Sequence, residues 1–284
     1  MKKIMILMAM ILPLAAFAKK EKITNVRWCT FNIRCMASVD TENGVGWETR
    51  KDRVCQWVLD QHIDVVGMQE VTHQQMLDVQ ERLPEYGFVG VGRTDGKEAG
   101  EYTPVFYRKD RFQALDKGNF WLSETPDVPG SRGWDAALER VASWVKLKDL
   151  QTGKIFMAVN THFDHVGVQA RRESAKLIMR KIQEIVGDRP AVVTGDFNVT
   201  DLDEAYKTMV TDQFVMKDAW KESPVRCGVG YTFHNYSKIP PQKAHKIDFI
   251  FITPQISVSR TLIPQNSPAY PLSDHNPHWA DLSF

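Results

Sequence analysis

Six short stretches carry residues able to do chemistry: Asn32, Glu70, His162, Asp196 with Asn198, Asp248, and Asp274 with His275. Most stand at the end of an apolar run. Asn32 follows Trp28-Cys29-Thr30-Phe31, Glu70 closes Val65-Val66-Gly67-Met68-Gln69, and His162 closes Val159-Asn160-Thr161. Asp196 follows Val192-Val193-Thr194-Gly195. One carboxylate at one strand end means little, because the chain simply reaches water there. Recurrence along a single chain is harder to explain that way, since charged groups seldom enter apolar strands unless paired or metal-bound. Asp248 is the sharpest case, with Ile247 before it and Phe249-Ile250-Phe251 after it.

Carboxylates, carboxamides and imidazoles together suit hydrolysis of a phosphate ester. That reaction needs charge neutralisation on the phosphoryl oxygens, an activated water and in-line geometry. Mg²⁺, or Mn²⁺ as the alternative, takes oxygen ligands. Glu70 is the leading metal ligand, with Asn32 and Asp274 beside it. There is no His-Glu-x-x-His and no cysteine cluster, which disfavours zinc. His275 can hold or donate a proton near neutral pH. Asp196 would hold or deprotonate the water, Asn198 would donate its amide to the phosphate, and His162 would contact another phosphoryl oxygen. Whether Asp196 or His275 is the general base stays open. Tyr107, Arg140, Trp134, His165 and His245 form a second tier of substrate contacts. His62, His73, His234 and His278 are expected on the surface or in packing.

The elements that must position these residues follow from periodicity. Strands are predicted over 26–34, 63–69, 86–91, 103–107, 140–147, 155–162, 191–195, 247–253, 258–263 and 278–282. Helices are predicted over 50–61, 73–83 and 169–186; the last places Ala175, Ile178, Ile182 and Ile185 on one face. A hairpin turns at Gln151-Thr152-Gly153. Recurring hairpins favour sheets sandwiched between helix layers over a purely parallel sheet.

The 284 residues carry 36 Lys+Arg against 35 Asp+Glu, with 43% hydrophobics, which excludes a disordered chain. So neutral a chain argues against a wide nucleic-acid footprint. Four cysteines exclude a disulfide-built scaffold. Cys29 and Cys35 are expected on one strand, roughly 20 Å apart and unable to bridge; Cys29, Cys35, Cys55 and Cys227 are read as buried free thiols. Lys2-Lys3, the apolar run to Leu14 and Ala16-Phe17-Ala18 form a secretory signal pattern. Cleavage near Ala18-Lys19 would leave residues 19–284 as one exported domain, secreted or periplasmic, with no transmembrane segment. Loss of the two lysines takes the net charge from +1 to −1. A monomer is expected.

Thr30-Phe31-Asn32-Ile33-Arg34, Gly67-Met68-Gln69-Glu70, Thr161-His162, Gly195-Asp196-Phe197-Asn198, Ile247-Asp248-Phe249-Ile250 and Ser273-Asp274-His275 stand in an order that resembles the endonuclease/exonuclease/phosphatase superfamily. The chain looks closest to a bacterial secreted branch related to the carbon-catabolite-repressor-type deadenylases. The resemblance implies a DNase I-like four-layered α/β/β/α sandwich with two mixed sheets packed face to face. It also pairs His275 with Asp248, whose carboxylate would orient the ring. Two positions depart from relatives. Arg34 stands where the abasic-site endonuclease branch has a metal-binding carboxylate. Asp164 stands where the deadenylase branch often has Lys, and a carboxylate there would repel a polynucleotide phosphate. The resulting expectation is a Mg²⁺-dependent hydrolase of a small or lipid-head-group phosphate ester. A nuclease is the alternative within the enzyme class, and a catalytically silent binding module the alternative outside it.

Overall fold

The run Asn25–Asn32 is buried almost throughout because it pairs on both sides, with one neighbour parallel and the other antiparallel. A strand covered on both faces reads as a continuous apolar run rather than an alternating one. The computed structural model describes residues 22–211 and 216–284. The signal pattern at residues 1–18 lies outside the described residues.

In chain order the elements are β1 (Asn25–Asn32), α1 (Ser38–Glu42), α2 (Trp47–Asp60), β2 (Val65–Gln69), α3 (His73–Arg82), β3 (Tyr86–Val89), β4 (Val105–Arg108), β5 (Phe112–Trp121), β6 (Val141–Asp149) and β7 (Ile155–His162). There follow α4 (Val168–Val186), β8 (Ala191–Asp196), α5 (Glu204–Thr211), β9 (Lys217–Asp218), α6 (Ala219–Glu222), β10 (Arg226–Gly228), a 3-10 turn (Pro241–Lys243), β11 (Asp248–Ile252), β12 (Ser257–Ile263) and β13 (His278–Ser283). One sheet has the order β10-β12-β13-β1-β2-β4-β3, the other β5-β6-β7-β8-β11-β9. Both are mixed. The pair β1–β2 is parallel in the middle of the first sheet, and β7–β8 is parallel in the middle of the second.

Three apolar clusters separate four layers. Val54, Val58, Met76 and Val79 of α2 and α3 pack on Phe31, Val66 and Phe106 of the first sheet. Ala175, Ile178 and Ile182 of α4 pack on Val159, Val193 and Phe251 of the second. Between the sheets lie Trp28, Val65, Phe156, Val192 and Ile250. The α/β/β/α sandwich with two mixed sheets face to face is therefore the observed architecture.

Near the site, polar contacts replace apolar packing between the sheets. Asn160 Nδ2 donates to the carbonyls of Met68 (2.6 Å) and Pro104 (3.0 Å), while its Oδ1 accepts from Gln69 Nε2 (2.6 Å) and Thr194 Oγ1 (3.0 Å). This saturates a buried carboxamide and ties β2 to β7 and β8. Gly67 makes the approach possible, because a Cβ there would overlap Thr194 Oγ1 and the Asn160 carboxamide. Such overpacking costs typically about 1–3 kcal/mol.

Predicted and observed elements differ in places. The predicted strands do not include β5. It is an edge strand with a bulge between Ala114 and Asp116, and its exposed middle, Asp116-Lys117, breaks the apolar pattern. β1 ends at Asn32, so Cys35 lies in the following loop and not on the strand with Cys29. All four cysteines are free; Cys29 and Cys55 are buried, but Cys35 is half-buried and Cys227 exposed.

Candidate active site

The C-terminal ends of the two central parallel pairs, β1–β2 and β7–β8, meet at one edge of the sandwich. β1 delivers Asn32, β2 delivers Glu70, β7 delivers His162 and β8 delivers Asp196. The antiparallel β11 begins with Asp248, which pairs with Asp196 across the ladder. The loop before β13 brings Asp274 and His275. Three strand ends turn sharply here: Arg34, Glu70 and Asn198 all hold left-handed backbone conformations, with φ of 61°, 61° and 49°. Positive φ in non-glycine residues costs of order 1–3 kcal/mol and clusters at functional sites.

The side chains form one connected set. Asn32 Nδ2 donates to Glu70 Oε1 and to Asp196 Oδ2, each at 3.0 Å. The other oxygen of each carboxylate accepts a backbone N–H, from Cys35 to Glu70 (3.1 Å) and from Asn198 to Asp196 (2.9 Å). His275 Nδ1 lies 2.8 Å from Asp248 Oδ2, and its Nε2 lies 3.8 Å from Asp196 Oδ2. His162 Nε2 lies 3.6 Å from the same oxygen. These two gaps are wider than hydrogen bonds.

Electrostatics separate the roles. Burial would lower the His275 pKa, but the carboxylate of Asp248 and then those of Asp196 and Asp274 push it well up, so the ring is held as imidazolium. Burial, reinforced by the charge of Asp248, pushes the Asp196 carboxyl well above the usual carboxylate range. Burial also opposes ionisation of Glu70, but the Asn32 amide, the His275 charge and the Cys35 N–H together hold it below its ordinary value. His162 is driven far down by burial and by the charge of Arg140, so it is neutral.

Among the described residues, Glu70, Asp196 and His275 form a group whose ligand atoms lie within 4.8 Å of one another. Buried carboxylates brought this close fit a hard divalent cation. Imidazolium has no lone pair to give, so Glu70 and Asp196 are the ready donors of the three.

Several expectations change here. Asn32 was expected as a metal ligand, but its Oδ1 accepts the Arg34 N–H (3.0 Å) and its nitrogen faces both carboxylates. In this arrangement it bridges two like charges. Asp274 accepts from Ser273 Oγ and lies 3.9 Å from Arg34 Nε, beside the group and not in it. Asn198 was expected to donate to phosphate, yet its Nδ2 already donates to His162 Nε2 (3.0 Å) and the Phe163 carbonyl (2.9 Å). It fixes the ring of His162, placing the imidazole proton on Nδ1. Asp164 does not line the cleft. It is buried and accepts from the N–H groups of Ala137, Leu138, Val166 and Gly167.

Of the second tier, Arg140 and His165 line the same cleft, with Arg140 Nη2 3.1 Å from His165 Nδ1. Arg140 Nε and Nη1 are buried without a hydrogen-bond partner. Tyr107 points away, into the inter-sheet core and a different surface groove beside Gly87. Trp134 packs on the core over the second sheet. His245 contributes its carbonyl, which accepts from Thr232 and Phe233. Neither Trp134 nor His245 lines the cleft. Sequence reasoning missed Arg93, Glu101, Phe233 and Asn235, which do. His234, expected on the surface or in packing, is buried behind Asp274.

Residues 29–275 match the model of the endonuclease/exonuclease/phosphatase family. The chain belongs to that family. A solved family member from Bacteroides vulgatus is 59% identical, covering 91% of this chain and 98% of its own, with a TM-score of 0.89. The mannosyl-6-phosphatase of Bacteroides thetaiotaomicron is 38% identical over 91% of this chain and all of its own, with a TM-score of 0.85. The curated protein Nocturnin of Drosophila melanogaster is 22% identical over 253 residues. The chain spans about a third of the length of the first curated relatives it matches.

Proposed function

We propose that this family member is an exported, divalent-metal-dependent hydrolase of small phosphate esters, with phosphomonoesters first among them. The observation that carries the reading is the cleft itself. It has a volume of about 520 Å³ and holds Glu70, Asp196 and His275 together with the guanidinium groups of Arg34, Arg93 and Arg140. That volume suits a small molecule, and the charges of Arg34, Arg140 and the His275 ring suit the dianionic head of a monoester. Similarity to a mannosyl-6-phosphatase supports the same reading. The signal pattern at residues 1–18 supports export.

A bound divalent ion would supply charge neutralisation on the phosphoryl group, with Glu70 as its principal protein ligand. The chain's own residues do the rest. Asp196, its carboxyl raised by burial, accepts a proton from the attacking water. His275, oriented and charged by Asp248, presents Nε2–H to a phosphoryl oxygen as negative charge builds. Arg140, whose Nη1 has no hydrogen-bond partner, offers an N–H to another.

The test is an assay panel with Mg²⁺, Mn²⁺ and EDTA on p-nitrophenyl phosphate, its bis-ester, a hexose 6-phosphate, sphingomyelin, single-stranded DNA and RNA. Metal-dependent release of phosphate from the monoesters is expected. Folded protein that cleaves no phosphate ester with either metal would return the chain to a binding role. Salt-sensitive activity on nucleic acid alone would make it a nuclease.

A further inference from the structure

One wall of the cleft is built from a charged pair that the hydrolysis above does not use. Arg93 Nη1 donates to Glu101 Oε2 at 2.7 Å, and the backbone of Arg93 donates to the Glu101 carbonyl at 3.1 Å. The loop between them is closed by Thr94 N–H to the Ala99 carbonyl (3.0 Å), and the Trp121 indole N–H binds the Arg93 carbonyl (2.6 Å). Both side chains are mostly buried, at 11% and 23% exposed, and both line the cleft beside Glu70. The pair is thus held in the cleft wall by its loop and by Trp121.

We propose that Arg93 and Glu101 form a hydroxyl-reading subsite that selects a polyhydroxylated leaving group, such as the ring of a sugar phosphate. The inference rests on the phosphoesterase reading above and names its substrate class.

Unspent hydrogen-bonding capacity supports it. Among the described residues, Glu101 Oε1 accepts no hydrogen bond and Arg93 Nε is buried without a partner. A carboxylate only accepts and a guanidinium only donates, whereas a hydroxyl does both. A ring with neighbouring hydroxyls can therefore satisfy the two sides at once. An aryl or alkyl leaving group would desolvate them and return nothing, and sites built to bind a hydroxyl discriminate strongly for that reason. The carboxamide of Asn235, which also lines the cleft, can add both a donor and an acceptor.

The pair could instead serve only to close its loop, and the experiment separates the two roles. kcat/KM is measured for mannose 6-phosphate and for phenyl phosphate with Mg²⁺, in the parent protein, Glu101→Gln and Arg93→Gln. The ratio of the two should fall roughly 10- to 100-fold in each variant, the range expected for a lost hydrogen bond to a charged group. Equal losses on both substrates, or an unchanged ratio, would overturn the subsite. A binding arm uses Asp196→Asn, titrated calorimetrically with mannose 6-phosphate and with methyl phosphate. Tighter binding of the sugar ester, abolished by adding Glu101→Gln, is expected, and equal affinities would again overturn it. If the parent cleaves neither ester, the phosphoesterase reading fails while the binding arm still decides the subsite.

Discussion

His275 Nδ1 sits 2.8 Å from Asp248 Oδ2, and both groups are almost fully buried. The carboxylate fixes which ring nitrogen faces Asp196 and stabilises the charged ring. Asp248 comes from the first position of β11 and His275 from the loop before β13, so the contact joins the two sheets at the site.

Asp248→Asn keeps the shape and removes the charge. The ring then loses both its orientation and the stabilisation of its proton. A general acid or donor removed from its working state costs about 10²- to 10⁴-fold. The expected result is a fall of that order in kcat with little change in KM, in a protein whose melting temperature is nearly kept. A variant with raised KM and parental kcat would place the pair in ground-state binding instead.

Glu70→Gln tests the cation position. Glu70 is held as a carboxylate by Asn32, Cys35 N–H and nearby charge, despite its burial. Replacing it leaves Asp196 as the one ready anionic donor of the group. Half-saturation by Mg²⁺ should rise at least about 10- to 100-fold, the loss already typical when only an outer partner of a ligand is removed. Titration of activity and direct calorimetry both read it, and an unchanged metal affinity would move the cation elsewhere.

The residues legible in the sequence were those whose burial conflicts with their charge. Asp196 and Asp248 stand inside apolar runs, and their conflict is resolved by Asn32 and the Asn198 N–H for Asp196 and by His275 for Asp248. The central strands were legible because they are buried on both faces. What stayed hidden depends on direction. Asn32 was found, but whether its oxygen or its nitrogen faces Glu70 is decided by the Arg34 N–H, which a linear reading cannot place. Asp164 was read from its offset to His162 as a repulsive charge, whereas the chain wraps four N–H groups around it. Arg93 and Glu101 lie in a loop between β3 and β4, where neither strand nor helix period marks a residue.

Asp164→Ala should therefore act through the loop it organises. Four backbone N–H groups lose their acceptor, and Arg140, whose Nε lies 3.6 Å from Asp164 Oδ2, loses its anchor. Buried donors left unsatisfied cost about 1–3 kcal/mol each before relaxation. Lower thermal stability is expected together with a raised KM, because Arg140 lines the cleft. Arg140→Lys should raise KM without the stability loss, and equal destabilisation in both variants would deny Asp164 its separate role.

His278 makes folding sensitive to acid. Thr261 Oγ1 donates to the Trp279 carbonyl (2.8 Å), so the contact at 2.8 Å from His278 Nε2 must have the histidine as donor. Burial, and then the charge of Lys246, lowers the pKa of this ring well below its ordinary 6.5. Above pH 6.5 the ring is neutral in both folded and unfolded chains, and its contribution is complete. As pH falls below that value the unfolded chain takes up a proton that the folded chain refuses, so stability is lost. Each such proton contributes roughly 1.4 kcal/mol per pH unit. Urea unfolding between pH 7 and 5 should show a falling midpoint in the parent protein. In His278→Asn the dependence should be shallower by about one proton, although the variant starts less stable. Identical slopes in the two proteins would assign the acid sensitivity to other groups, such as His162 and His234, whose pKa values are also lowered by burial.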